Sequence, residues 1–464
     1  MAFQPVTAAI RFGCGLSPVV APPADLASLF EQIVGPDEMA AAYPLMEFDA
    51  FQAEILEYRD LVRARRKARG TDGFQARRKA ANVFRKNIRQ RQMRWLQTHM
   101  LRRVDTRQGL RERLVAFWAD HFTAQGKGGI ARWGTTPYVE TSIRPHVAGS
   151  FADMLVDVVT APLMLMYLDQ DRSIGPNSQM GIVRRNKGRP SGLNENLARE
   201  VLELHTLGVN GPYTQDDVRQ LAELFTGMSF QPEVGFNFRK PLAEPGTETV
   251  MGKTYGGSDE HFSHVEEALR DIAAHPATAA HIARKLVVHF VSDTPDPAHV
   301  AHVEARFNET GGNLAEVTAA LIEHPAAWET ERPNVKQPFE FVSSSLRALA
   351  VPAAAFEPLN ERQSQALLAT PLAQMGQVWE RPAGPDGFPE QDDAWITPQG
   401  LAARLNWAVT VPRILMGDLP DPRAFVDTAL GPRATDAVRF AARASESVHE
   451  GVALILSSPA FQRL

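Results

Sequence analysis

The chain has 464 residues, of which 44% are hydrophobic and 22% charged, and its formal net charge is -5. This composition is typical of a globular protein and excludes a disordered or fibrous chain. Because Cys14 is the only cysteine, an internal disulfide and every multi-cysteine zinc or iron–sulfur site are excluded as well.

The sequence shows no membrane or export signal. No apolar run reaches the roughly 18 residues that a membrane span requires. Residues 1–11 lack the basic start and the apolar core of a signal peptide. We therefore expect a soluble protein, without a membrane span, that stays in the cytoplasm. Export to the periplasm together with a signal-bearing partner is the alternative.

Basic residues are concentrated in one stretch. Residues 59–113 contain 19 Lys and Arg against four Asp and Glu, whereas the remaining residues contain 30 against 50. Such a split can mark a surface for an anionic partner. Pairing with acidic helices of the same molecule is favoured here, because the charges cancel internally. Nucleic acid is not expected as the partner, since aromatic residues are sparse in this stretch.

The spacing of apolar residues predicts helices along nearly the whole chain. In the first half, the predicted helices cover residues 48–69, 75–103, 107–124, 135–147, 150–159, 194–206 and 215–226. In the second half, they cover residues 260–273, 276–291, 297–308, 313–323, 335–350, 360–369, 397–410, 422–430 and 435–457. Alternation around residues 236–238 and 249–251 predicts a small β-hairpin within 229–256.

The predicted fold class is all-α, a large multi-helix globular bundle with long irregular loops and at most a small β-hairpin. We expect a single domain over 1–464, with 1–228 and 257–464 as candidate sub-lobes joined by the irregular segment 229–256. Two irregular stretches stand out. Residues 170–193 form a basic, glycine-containing loop that is long for a compact domain, and residues 379–398, rich in Pro and Gly, are predicted to wrap over the helical body.

The densest polar cluster lies on the helix predicted at 194–206, which Ser191 or Asn194 would cap and Gly208 would end. At about 100° per residue, one arc of roughly 140° is entirely polar. Its members are Glu195, Asn196, Arg199, Glu200 and Glu203. The i,i+4 spacing pairs Arg199 with Glu195 and with Glu203. We expect Arg199 to be largely buried and to bridge these carboxylates or another one, such as Asp169.

This polar face has two interpretations. The neighbouring carboxylates of Glu200 and Glu203 can split their pKa values into an acid and a base, or bind a hard cation. The face can also be a solvated surface held by ion pairs, which the spacing alone favours. His121, at the end of an aromatic-rich helix, is a candidate catalytic residue, although a buried structural histidine is favoured.

The enzymatic interpretation assigns two groups of residues. The candidate catalytic residues are Glu200, Glu203, Glu195, Arg199 and His121. The candidate substrate-binding residues, for an anionic polymer or a small anion, are Asn177, Ser178, Arg184, Arg185, Lys187, Arg189, Asn194 and Asn196. No metal site is assigned, because His261 and His264, beside Asp259 and Glu260, lack an evident third ligand. The sequence does not indicate a cofactor.

Several runs of the sequence resemble one protein family. They include Phe-Trp-Ala-Asp-His-Phe at 117–122, Tyr-Leu-Asp at 167–169, Gly-Pro-Asn-Ser at 175–178, Asn-Glu-Asn-Leu-Ala-Arg-Glu at 194–200, Leu-Glu-Leu-His-Thr-Leu-Gly at 202–208, Lys-Leu at 285–286 and Ser-Pro-Ala-Phe-Gln at 458–462. These runs look like the bacterial domain of unknown function 1800 family. The resemblance implies a helical fold over nearly the whole chain. It implies no activity, and it implies a companion from the domain of unknown function 1501 family, which resembles sulfatases and alkaline phosphatases.

The sequence differs from the expected family pattern at three positions. Met228 follows Gly227 where tryptophan is expected, Ala243 stands where histidine is expected, and Phe388 stands where tryptophan is expected between Gly387 and Pro389. If the missing histidine were a ligand or a base in relatives, this member would lack that function.

These observations lead to two alternative hypotheses for the function. The first is a binding or accessory protein that works with a partner enzyme of the sulfatase or alkaline-phosphatase type. The second is an enzyme, a hydrolase or lyase, that acts on an anionic polymer and uses the Glu-rich helix 194–206 as its acid/base or metal site.

Overall fold

The computed structural model describes residues 3–189, 192–257, 261–329 and 334–464, and it is mostly α-helical, as predicted. The α-helices of the first half are Pro5–Thr7, Leu26–Val34, Glu38–Ala42, Phe48–Lys67, Phe74–Asp105, Gly109–His121, Thr135–Ser142, Phe151–Thr160, Pro162–Tyr167, Gln179–Asn186, Asn196–Glu200 and Gln215–Leu224. Those of the second half are Phe262–Ala273, Pro276–Phe290, Pro297–Thr310, Leu314–Glu323, Pro338–Ala348, Glu361–Ser364, Thr370–Gln374, Asp392–Trp395, Pro398–Met416, Pro422–Leu430, Asp436–Ala444, Val448–Ser457 and Pro459–Gln462.

Shorter helical turns link these elements. Three are π-helical, at Ala8–Phe12, Val201–Thr206 and Gln365–Ala369. Single 3₁₀ turns occur at Ala131–Trp133, Arg144–His146, Gln170–Arg172, Lys240–Leu242, Pro325–Trp328, Ala353–Ala355 and Gly431–Arg433. Across the described part of the chain, no helix combines the length and the apolar character needed to cross a lipid bilayer.

The segment predicted to hold one β-hairpin contains two. Met228–Gln231 pairs antiparallel with Gly235–Phe238, and Gly246–Val250 pairs antiparallel with Lys253–Gly257. The second hairpin turns through Met251 and Gly252, which both have positive φ, the conformation that a two-residue turn requires between right-twisted strands. The sequence signal was weak because each strand is only four or five residues long.

Local capping chemistry decides several helix boundaries. Thr214 and Asp217 form the capping box of Gln215–Leu224. The helix predicted at 435–457 is interrupted after Ala444, because the hydroxyl of Ser447 accepts from the N–H of Glu450 and starts a new helix. The loop predicted at 170–193 contains the helix Gln179–Asn186, which Ser178 caps.

The buried apolar side chains form two large clusters. The first extends from Ala8 to Trp328 and includes the aromatic end of Gly109–His121. The second joins the C-terminal half of Phe74–Asp105 to residues 341–461. Trp379 packs against both clusters. It belongs to residues 377–391, here called the strap, which corresponds to part of the irregular wrap predicted at 379–398.

Helices Phe48–Lys67 and Phe74–Asp105 pack against each other as an antiparallel pair, here called the arm. Between residues 66 and 87, only Ala68 and Ala81 are buried. Tyr58 and Phe84 stack across the pair, with ring centroids 5.9 Å apart. The tip of the arm is therefore held mainly by its own two helices, and its charged side chains face solvent.

Candidate functional site

Arg199 bridges two glutamates, as the i,i+4 spacing predicts. Its guanidinium lies 3.4 Å from a carboxylate oxygen of Glu195 and 3.0 Å from one of Glu203, and it also donates to the side chain of Gln215. The Arg199 side chain is 38% exposed, so the prediction that it is largely buried is wrong. The suggested partner Asp169 pairs with Lys127 instead, at 2.5 Å. The reason is that this face of the helix lies at the surface.

The helix that carries these residues changes its winding at Glu200. It begins at Asn196 rather than at Asn194, whose side chain accepts from the N–H of Asn196 at 3.0 Å, while Ser191 lies outside the described residues. From Val201 to Thr206 it is π-helical, and the hydroxyl of Thr206 donates to the carbonyl of Val201 at 2.6 Å. Such π-helical turns are often found at functional sites.

Glu200 is a half-buried carboxyl group in a negatively charged environment. Burial, together with the negative charges of Glu203 and Asp386, raises its pKa to about 7, against the opposing effect of Arg199. Burial, followed by Glu200 and Asp386, also raises the pKa of Tyr167. The structure thus brings Tyr167 and the strap residue Asp386 to the predicted polar face.

A second ionisable group extends this site inward. Burial lowers the pKa of Lys285, against the opposing charges of Glu390, Asp120 and Asp386. Burial, together with the charge of Glu390, raises the pKa of Asp120 to about 7. Because Asp386 acts on both Glu200 and Lys285, one continuous set of charges connects the surface helix to the interior. Perturbed groups clustered in this way are typical of functional sites.

His121 lies beside this set and is fully buried. Its Nε2 contacts the backbone carbonyl of His205 at 3.1 Å. Burial lowers its pKa well below the ordinary value, and the nearby charges of Lys285, His205 and His281 act in the same direction. The neutral imidazole donates to the helix that carries Glu200. His121 therefore holds the backbone of that helix, which agrees with the structural interpretation favoured from the sequence.

The basic segment contributes none of the charges that act on Glu200. Asn177 donates through its backbone and side-chain nitrogens to Glu244, and Ser178 caps a helix. Arg185 donates to the carbonyl of Pro176. Among the remaining candidate residues, Arg184 is half-buried, whereas Lys187, Arg189 and Asn196 are exposed. The side chain of Asn194 donates to the carbonyl of Leu168 at 2.6 Å. The charges that act on Glu200 come from other segments.

The cations of the arm are mostly unpaired, against the interpretation favoured from the sequence. Residues 63–94 carry 13 Lys and Arg and one Asp. Arg63, Arg89 and Arg91 make ion pairs. Among the residues that the structure describes, ten of these cations make no ion pair or side-chain hydrogen bond. They are Arg65, Arg66, Lys67, Arg69, Arg77, Arg78, Lys79, Arg85, Lys86 and Arg94. Internal pairing is more complete for the buried arginines outside 63–94, such as Arg102 with Glu140.

No three His, Cys, Asp or Glu side chains of the described ranges are arranged to hold a metal ion. His261 accepts from the N–H of Ser263 as the cap of Phe262–Ala273. Its sequence neighbours Asp259 and Glu260 lie outside the described residues.

Asp120, Lys285, Asp386 and Glu390 were not predicted from the sequence as residues of this site. They come from the end of Gly109–His121, from the middle of Pro276–Phe290 and from the strap, so no local spacing connects them. The available signals were the family-like runs at 117–122 and 285–286 and the predicted wrap at 379–398.

Comparison with known proteins agrees with the resemblance found in the sequence. No curated protein and no solved structure matches the chain. The sequence model of the family described as protein of unknown function (DUF1800) matches residues 8–463, which is nearly the whole chain. The chain therefore belongs to the DUF1800 family.

Proposed function

We propose that the chain is an enzyme, a hydrolase or lyase acting on an anionic polymer, with Glu200 as its acid/base residue. The observation that carries this proposal is the pKa of Glu200, which burial and two neighbouring carboxylates raise to about 7. A carboxyl group with a pKa near the working pH is present in both its acidic and its basic form, so it can donate a proton and recover it.

The neighbours of Glu200 have distinct supporting roles in this proposal. The negative charges of Glu203 and Asp386 keep the proton on Glu200 until a substrate accepts it. Lys285, which acts on Asp386, supplies a compensating positive charge when negative charge develops. Arg199 holds Glu203 at 3.0 Å and so fixes one of these carboxylates in place.

The substrate class rests on the arm rather than on the 184–189 segment. Residues 63–94 present a formal net charge of +12, the excess of their 13 basic residues over one acidic residue. Gly129 packs against Tyr58 of the arm. Two residues earlier, Lys127 pairs with Asp169 and lies 6.0 Å from the ring centroid of Tyr167, which is near Glu200. A polymer bound along the arm beside Tyr58 would therefore adjoin the Glu200 site. Long-range attraction by unpaired cations supports binding of such a polymer.

Glu200→Gln tests the proposal, because it removes the proton donor while preserving the shape of the side chain. We would incubate the protein with sulfated, phosphorylated and uronic-acid polymers and measure new chain ends. The variant should lose about 10²- to 10⁴-fold in turnover, the usual contribution of general acid–base catalysis. Glu357→Gln, at an exposed position remote in sequence, is the control and should keep full turnover. A Glu200→Gln protein with wild-type turnover would contradict the proposal.

A second candidate function is a binding or accessory protein for a partner enzyme of the DUF1501 type. The observation that favours it is an exposed apolar row on Pro398–Met416, where Leu401, Leu405 and Val409 are 37%, 51% and 39% exposed. Their i,i+4 spacing places them on one face, and exposed apolar faces often bind proteins.

Co-purification from the native host distinguishes this second function. A Leu405→Glu variant should lose a partner that the wild-type chain retains, whereas Val19→Glu, at another exposed apolar position, should keep it. Recovery of the wild-type chain alone under mild conditions would count against an accessory role. Fractionation of the same host would locate the chain in the cytoplasm, as we propose, or in the periplasm.

A further inference from the structure

A cavity of about 160 Å³ lies beside the strap, at the junction of the two apolar clusters. Val115 and Val139 line it from the first cluster, and Leu372 from the second. A cavity of this size accommodates a molecule about as large as benzene. Its wall combines aromatic rings with carboxylates, so its chemistry differs from that of a purely apolar packing defect.

Three aromatic side chains contribute to the cavity wall: Phe339, Trp379 and Phe388. The guanidinium of Arg103 lies over the ring of Phe339, 5.3 Å from its centroid, so that ring already contacts a cation. His99 meets Trp379 edge-on, with centroids 5.9 Å apart. Phe388 meets Trp395, with centroids 6.3 Å apart. Within the described residues no cation lies over the ring of Trp379 or Phe388, so these two rings remain for a cationic ligand. Aromatic ring faces attract organic cations through their quadrupole.

The carboxylates of the wall outnumber its cations. Arg103 is the arginine that lines the cavity, against Glu112, Asp120, Glu340 and Glu380. Glu112 pairs with Arg144, and Glu340 pairs with Arg113. Within the described ranges, neither Asp120 nor Glu380 makes an ion pair: Asp120 accepts from the N–H of Phe388, and Glu380 accepts from the hydroxyl of Thr136. Neither carboxyl group is part of an ion pair, although the charge of Lys285 acts on Asp120 and that of Arg381 acts on Glu380.

Glu380 also has an unusual backbone conformation. Its φ is 56°, in the left-handed region that non-glycine residues rarely adopt. Such conformations persist where the surrounding structure enforces them, often at ligand sites. Here the conformation places a carboxyl group on the wall of the cavity, directly after Trp379.

We propose that this cavity binds a small organic cation, such as an alkylammonium group, between the rings of Trp379 and Phe388 and the carboxylates of Asp120 and Glu380. Burial keeps a proton on Glu380 and favours one on Asp120. A bound cation would favour release of these protons, pair with the resulting carboxylates and contact the aromatic faces at once. The inference shares Asp120 with the charges around the Glu200 site, but it does not depend on the reaction proposed there, because its test measures binding and not turnover.

Isothermal titration of the full chain tests this inference with tetramethylammonium chloride as the probe. tert-Butanol, which has a similar branched shape but no charge, is the matched neutral probe, and sodium chloride at equal ionic strength is the blank. We expect the cation to bind at least about tenfold more tightly than the alcohol, which corresponds to about 1.4 kcal/mol. Glu380→Gln should lower the affinity for the cation about tenfold and leave binding of the alcohol unchanged. Glu357→Gln should bind as the wild type does.

Equal affinity for the two probes, or no saturable binding of the cation to the wild-type chain, would overturn the inference. This comparison needs no variant, so it remains decisive if Glu380→Gln fails to fold. Asp120→Asn provides a second variant with the same expected loss. Full binding by both folded variants would also overturn the inference, and turnover measurements at Glu200 would not affect this result.

Discussion

Asp120 accepts from the backbone N–H of Phe388 at 3.0 and 3.1 Å, through its two carboxylate oxygens. This contact joins the end of Gly109–His121 to the strap. The strap contributes Asp386 to the surroundings of Glu200, and Glu380 and Phe388 to the cavity wall. The position of the strap therefore affects both sites, and Asp120 is one of the groups that sets it.

Gly387→Ala should displace the strap. Gly387 has φ +82°, and a Cβ there would lie 2.5 Å from a carboxylate oxygen of Asp120 and 2.9 Å from its backbone carbonyl oxygen. Left-handed strain and this overlap together should lower the free energy of unfolding by about 2–4 kcal/mol, measured by urea denaturation. Gly252→Ala is the control, because Gly252 has a similar φ of +79° and open space around it. An equal decrease in the free energy of unfolding for both variants would show that Asp120 does not clash with a Cβ at position 387.

Glu380→Gln should become increasingly more stable than the wild type as the pH rises. Burial raises the pKa of Glu380 from 4.5 to about 8, so the folded chain keeps a proton that the unfolded chain releases. The resulting stabilisation is complete below about pH 4.5 and is lost as the pH rises towards 8. At pH 8.5 the difference in unfolding free energy should exceed that at pH 5 by roughly 1–3 kcal/mol. A pH-independent difference between the two melting curves would argue against a buried proton on Glu380.

Arg199→Ala should cost little stability, because the Arg199 side chain is 38% exposed and its two i,i+4 ion pairs lie at the surface. Such pairs contribute about 0.3–0.5 kcal/mol each. Arg144→Ala is the comparison, because Arg144 is 4% exposed and pairs with Asp37, Glu112 and Glu140. Breaking that buried network should cost about 3–5 kcal/mol. Similar urea midpoints for the two variants would refute the assignment of Arg199 to the surface.

Charge reversal on the arm should weaken binding to an anionic polymer. The triple variant Arg78→Glu, Arg85→Glu and Lys86→Glu should elute from immobilised heparin at lower salt than the wild type. If each residue contacts one anionic group, the slope of log affinity against log salt should fall by about two. The matched control reverses three charges elsewhere, at Arg185, Lys187 and Arg189. A larger effect in the control would return the binding surface to the segment predicted from the sequence.

Much of the fold was predictable because its signals are local. Apolar residues three and four positions apart specify a helix and its buried face, and this spacing located the long helices of the arm. The capping box of Thr214 and Asp217 and the ion pairs of Arg199 also depend only on neighbours along the helix. Membership of the DUF1800 family was predictable for the same reason, since it rests on runs of adjacent residues.

The site was less predictable, because burial and charge at a point in space depend on distant segments. The polar arc that contains Glu200 could be read from the sequence. The pKa of Glu200, however, depends on burial and on the charge of Asp386, which lies on the strap and is distant in sequence. For Arg199, the i,i+4 partners Glu195 and Glu203 were predictable from the sequence, whereas the exposure of its side chain was not. The internal pairing favoured for 59–113 held for buried Arg102 and Arg113 and not for the tip of the arm.

The sequence by itself determined that the chain is helical, with a Glu-rich helix and a strongly basic stretch, since composition and periodicity carry that information. Its runs of adjacent residues determined that it belongs to the DUF1800 family. Only the tertiary structure decided that Asp120, Lys285 and Asp386 surround one site and that Glu380 lines a cavity with Trp379. The physical reason is that helix periodicity specifies which face of an element is apolar, whereas packing decides which other element meets that face and which charges lose their water.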